Sequence, residues 1–144
     1  MRTYSLFVAC TAVAFLPPMA SASEKTIQPV KVLSTGMLDG EGLDRLIPAG
    51  NFFTNQADFE KLWQDWLLER PAPQVDFQKN LVVIATSTEG PIEEASLVSG
   101  KKAGQMHVQV KLERKSKTSG FYTLIAVFPR ARIESINGQA VPRK

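Results

Sequence analysis

His107 is the only histidine of the chain. A Ser–His–Asp triad would therefore have to use it as base. It occupies a polar place in an alternating stretch, and no G-x-S-x-G elbow presents a serine nucleophile. Ser96, Ser99, Ser116 and Ser119 fall in turns or at strand ends, where serine is common for conformational reasons. A zinc site would need His107 with carboxylates alone, an unusual donor set. The expectation is a surface histidine. Asp39, Glu41 and Asp44 gather in a glycine-rich loop and suggest calcium. The D-x-D-x-D-G spacing and distal glutamate of an EF-hand are missing, so the plain reading is a flexible acidic loop. Glu93 and Glu94 are adjacent in a strand and point to opposite faces, which rules out a paired acid and base and favours solubility charges or edge protection. Ser116-Lys117 resembles a Ser–Lys pair, but on an exposed tip the lysine would keep its proton. Trp63 and Trp66 could form a sugar platform, yet their helical spacing favours core packing. No phosphate loop or dinucleotide fingerprint is present. The expectation is no catalytic residue, no metal and no cofactor.

The start of the chain reads as an address. Arg2 precedes an apolar run, residues 6–16, that Pro17-Pro18 breaks before Ala20-Ser21-Ala22. This is the order of a secretory signal peptide, residues 1–22, cleaved after Ala22. The run is about 11 residues, against the roughly 20 that a membrane-spanning helix needs. Cys10 is the only cysteine. Phe7 is a poor occupant of a lipobox, so no lipid anchor at Cys10 is expected. The mature chain then holds no disulfide and no Cys-based metal site, and the expected location is periplasmic or secreted.

Hydrophobic residues make up 44% of the chain and charged ones 22%, values ordinary for a globular domain. The formal net charge is +3, or +2 without Arg2 of the signal segment, and acids and bases are mixed through the middle of the chain. A nucleic-acid binder usually shows a denser basic face with interleaved aromatics, and export also argues against it, so no nucleic-acid partner is expected. Arg130, Arg132, Arg143 and Lys144 against Glu134 are read as a solvated edge.

The elements follow from periodicity. Residues 27–33 alternate loosely as a first strand, with Pro29 favouring an edge. Residues 34–50 read as a long loop with four glycines, and 51–53 as a short strand. Asn55 caps a helix whose stripe is Phe59, Leu62, Trp63, Trp66 and Leu67, opposite Glu60, Lys61, Gln64 and Asp65. Pro71 and Pro73 end it. Residues 81–85 form a central strand buried on both faces, and 92–98 a weaker strand. Residues 99–104 carry turn chemistry. Met106, Val108, Val110 and Leu112 mark a half-buried strand. Residues 114–120 read as a polar hairpin loop, 121–128 as an apolar strand, and 133–141 as a hairpin around Asn137-Gly138. Short turns favour antiparallel pairing. The predicted fold is α+β: an antiparallel β meander with one amphipathic helix packed on one face. Residues 23–50 supply its N-terminal strand and loop, and 51–144 the remainder of a single domain.

Asp58-Phe59-Glu60-Lys61-Leu62-Trp63, then Val75-Asp76-Phe77 and Leu81-Val82-Val83, resemble the N-terminal half of the PrcB-like domain. That family is named for a non-catalytic subunit of a bacterial protease complex. Thr118-Ser119-Gly120-Phe121-Tyr122-Thr123-Leu124 is similar to its T-x-G strand entry. The closing hairpin, residues 133–142, is similar to that of small exported bacterial proteins, and after Phe128 the chain departs from the PrcB-like pattern. The resemblance covers about 51–142 and implies an exported accessory module without enzymatic activity. Asp76 and Phe77 also have a local role available, a turn cap and a plug for the sheet.

The expected function is an exported, non-catalytic accessory or binding module that contacts another envelope or secreted protein. The tip 114–120 supplies the candidate binding residues Lys115 and Lys117, with Tyr122 just after it. A secreted enzyme inhibitor that inserts this tip into its target is the alternative. An enzyme with an unrecognised site at Asp39, Glu41, Asp44 or His107 is the second.

Overall fold

Residues 81–85 are uninterruptedly apolar and 121–128 are so apart from Tyr122 and Thr123, so neither run has a polar face to offer water and both should lie between two other layers. The computed structural model describes residues 24–66, 70–113 and 119–143. In chain order the strands are β1 (Thr26–Ile27), β2 (Lys31–Leu38), β3 (Phe52–Phe53), β4 (Asn80–Ser87), β5 (Ile92–Ser99), β6 (Gln105–Leu112), β7 (Phe121–Pro129), β8 (Ser135–Ile136) and β9 (Gln139–Ala140). Among the described residues one α-helix, α1 (Gln56–Asp65), lies between β3 and β4. The fold is α+β and mostly antiparallel.

The strands divide between two sheets. One has the order β2-β7-β4-β3 and the other β1-β5-β6-β8-β9. All pairs are antiparallel except β6 with β8, which is parallel. The chain does not run as one meander, because it changes sheet between β1 and β2, between β4 and β5, between β6 and β7, and between β7 and β8. The segment expected as a hairpin tip therefore joins strands of different sheets; residues 114–118 of it, with Lys115 and Lys117, lie outside the described residues.

β4 and β7 occupy the middle layer, and their alternation sorts side chains between two cores. Leu81, Val83 and Ala85 of β4, with Tyr122, Leu124, Ala126 and Phe128 of β7, meet Ile92, Ala95 and Leu97 of β5 and Met106 of β6. Ile133, Ile136 and Val141 close that core. Val82, Ile84, Ile125 and Val127 point the other way and share a second core with Phe53, Phe77 and the helix residues Phe59, Leu62, Trp63 and Trp66. Burying each such side chain stabilises by about 1.5–3 kcal/mol before entropy.

Asn55 begins α1 as expected: its Oδ1 accepts the Asp58 N–H at 2.9 Å. The helix ends at Asp65, with Trp66 as its C-cap, so it stops before the prolines rather than at them. Leu67 lies outside the described residues. Asp76 caps its turn, its Oδ1 accepting from Gln78 N at 3.0 Å, while Phe77 is buried. Asn137 (φ 48°) and Gly138 (φ 82°) supply the two positive φ angles of the β8–β9 turn.

Three expectations need correction. Residues 34–38 are not loop but the second half of β2, and 43–46 and 49–51 are 3-10 turns. The first strand is split at Pro29, with β1 on the edge of one sheet and β2 on the edge of the other. On β6, Met106 is buried and Val108 and Leu112 half-buried, but Val110 is exposed.

Candidate functional site

The β5–β6 turn carries two adjacent lysines. Gly100 N donates to Gln105 O at 2.8 Å and Gln105 N to Lys102 O at 3.1 Å, which leaves Lys101 and Lys102 exposed at the tip. A second loop is tied to this turn. Glu134 N and Ser135 N both donate to Gly104 O, at 2.8 and 3.2 Å. The approach is close: a Cβ on Gly104 would stand 2.5 Å from Glu134 Cγ, and Gly104 has φ 79°. Only glycine fits both demands. The second loop holds Arg132 at φ 65°, a left-handed conformation that costs a non-glycine residue energy. The start of β1 is fixed alongside, with Ser99 N donating to Lys25 O and Lys25 N to Ser99 Oγ, both at 2.9 Å.

Between these three segments lies a cleft of about 640 Å³, within the usual size of a ligand pocket. Buried Met106 and half-buried Ile27, both of the inter-sheet core, line it together with Ala103 and Ala131. Lys25, Lys101, Lys102 and Arg132 line it with exposed cations. Glu134 is the one carboxylate among its lining residues, and it is paired with Arg143, Nη2 to Oε1, at 3.1 Å. Like charges around a concave surface reinforce one another's field and draw in anions.

The basic C-terminal residues thus do three different things. Arg130 is half-buried and structural, its Nη1 donating to Phe77 O at 2.9 Å and its Nη2 to Pro142 O. Arg132 lines the cleft and Arg143 pairs with Glu134. The reading of these residues as a solvated edge does not hold for Arg130. Lys144 lies outside the described residues.

Of the residues singled out from sequence, Ser99, Arg132 and Glu134 line the cleft, while Tyr122, Asp39, Glu41, Asp44 and His107 do not. Tyr122 is 6% exposed and belongs to the inter-sheet core. Asp39, Glu41 and Asp44 are exposed before and within the 3-10 turn Leu43–Leu46, and Asp44 O accepts from Ile47 N. His107 is exposed on β6, opposite Val98 of β5. Among the described residues, no group of three or more His, Cys, Asp and Glu stands together so that it could hold a metal ion. Glu93 and Glu94 are both exposed beside a bulge in β5, with Glu93 3.1 Å from Lys111 Nζ. Trp63 and Trp66 are buried in the helix core.

Sequence reasoning missed the cleft because its cations come from three separated segments. Its single local signal was the pair Lys101-Lys102 in a turn.

No family model matches the chain, and neither a curated protein nor a solved structure shows significant similarity to it.

Proposed function

We propose that this chain is an exported, non-catalytic binding module that contacts another envelope or secreted protein through the cleft between the β5–β6 turn and the loop before β8. The observation that carries the reading is the convergence of Lys25, Lys101, Lys102 and Arg132 on one apolar-lined cleft whose single lining carboxylate is already paired. The hydrogen bonds at Gly104 and Ser99 hold the three backbone segments in place, so binding has only the cationic side chains to order. The signal-peptide pattern of residues 1–22 supports export, and the resemblance to the PrcB-like domain supports an accessory role. Among the described residues, no helix is long and apolar enough to cross a membrane.

Co-purification from an envelope extract tests the reading. The expected result is one partner retained in stoichiometric amount by the wild type and lost by the double variant Lys101→Glu/Lys102→Glu at unchanged melting temperature. A wild type that retains no partner, or a partner held equally by both proteins, would overturn it.

A further inference from the structure

We infer that the cleft takes an acidic peptide segment that carries an apolar side chain among its carboxylates. The inference rests on the proposed protein-binding role and names the chemistry of the partner. Two properties of the cleft must be satisfied together. Its cations are spread over three chain segments, Lys25 at β1, Lys101 and Lys102 in the turn, and Arg132 beyond β7. Three of them are lysines, which act as separate point charges, whereas compact phosphate recognition favours arginine forks or backbone N–H cradles. Four cationic side chains around one cleft balance several carboxylates, more charge than one compact anion carries.

The lining between the cations is the second property. Ile27 and Met106 reach the cleft from the inter-sheet core. Inorganic phosphate has nothing to bury against them, while an apolar side chain gains from leaving water. Methionine adapts its shape to what it contacts, so the lining tolerates more than one apolar residue. Glu134 does not cancel the attraction, because Arg143 is already beside it. The geometry therefore points to carboxylates on the cations and one apolar side chain between them.

The probe is a blocked, fluorophore-labelled peptide, Glu-Glu-Asp-Leu-Asp-Glu-Glu, titrated with the full mature protein and followed by fluorescence anisotropy. Binding is expected to weaken about tenfold on Lys101→Glu/Lys102→Glu or on Arg132→Glu, a step of about 1.4 kcal/mol. It should weaken by a similar factor when the peptide's leucine becomes serine, and steeply as salt rises to about 0.5 M, because exposed charges are screened. Circular dichroism establishes that the variants remain folded, as expected for exposed loop positions. Equal binding of the Gln/Asn version of the peptide, indifference to both sets of variants, or no binding by the wild type would each overturn the inference. Displacement of the peptide by inorganic phosphate at equal concentration would also overturn it and assign the cleft to a compact anion. If the peptide fails while an envelope partner is still lost by Lys101→Glu/Lys102→Glu, the binding role survives and only the partner's chemistry is wrong.

Discussion

Replacing Trp63 by alanine probes the contact on which the helix depends. Trp63 is 5% exposed and belongs to the core shared by α1 and the β4–β7 face. Its ring meets Phe59 edge-on at 5.5 Å between centroids, and its Nε1 donates to Arg70 O at 2.6 Å. Truncation removes the buried ring and leaves a cavity, at a cost of about 3–5 kcal/mol. The aromatic contact adds about 0.5–1.5 kcal/mol to what the ring contributes by area. The total is a large share of the roughly 5–15 kcal/mol that stabilises a whole domain. Urea unfolding at constant m-value reads the loss as a fall in midpoint. Trp66 makes the reasoning sharper. It is equally buried, but its Nε1 has no hydrogen-bond partner among the described residues. A buried orphan donor costs about 1–3 kcal/mol. Trp66→Phe removes that orphan along with some ring volume and should stay within about 1 kcal/mol of the wild type. Trp63→Phe loses a satisfied bond and should cost more. A Trp63→Ala protein that melts like the wild type would refute the core assignment, and the reverse order of the two phenylalanine variants would refute the hydrogen-bond argument.

Three further outcomes are expected. Asn55→Ala removes the acceptor for the Asp58 N–H and should cost about 0.5–2 kcal/mol in urea unfolding, with the native spectrum kept. Gly104→Ala forces a Cβ into a left-handed position against Glu134; it should cost more than about 1 kcal/mol in the same assay and weaken peptide binding, because the two loops must separate. Protein recovered from a periplasmic or culture fraction should begin at Ser23 by N-terminal sequencing. An intact Met1 in the cytoplasm or a lipid-bearing terminus at Cys10 would contradict export as a cleaved, unanchored protein.

The helix was legible because two independent signals coincide, the Asn55 cap and the stripe from Phe59 to Trp66. The strands β4 and β7 were legible because burial on both faces leaves continuous apolar stretches, Leu81–Ala85 and Leu124–Phe128, with Thr123 the one polar side chain buried in β7. The Asn137-Gly138 turn was legible from its dipeptide alone. β2 was not. Ser34, Thr35 and Gly36 give it a polar, glycine-containing middle, and the strand is held by backbone pairing to β7 on one side while Val32 and Met37 stay half-exposed or more. The division into two sheets was not legible either. Short connections predict pairing of neighbours, but β6 pairs with β8 instead of β7. The cleft depends on that division. Only when β1, the β5–β6 turn and the loop before β8 meet does a mild overall charge become a local basic surface.

The central claim is that the cleft is where a protein partner sits. A photo-crosslinking residue placed at Ala103, which lines the cleft, and another at Ala57, exposed on α1, test it inside the cell that makes the protein. The account predicts one discrete adduct from position 103, none from position 57, and loss of the adduct when Lys101 and Lys102 are changed to glutamate. No adduct from position 103, or the same adduct from both positions, would contradict it.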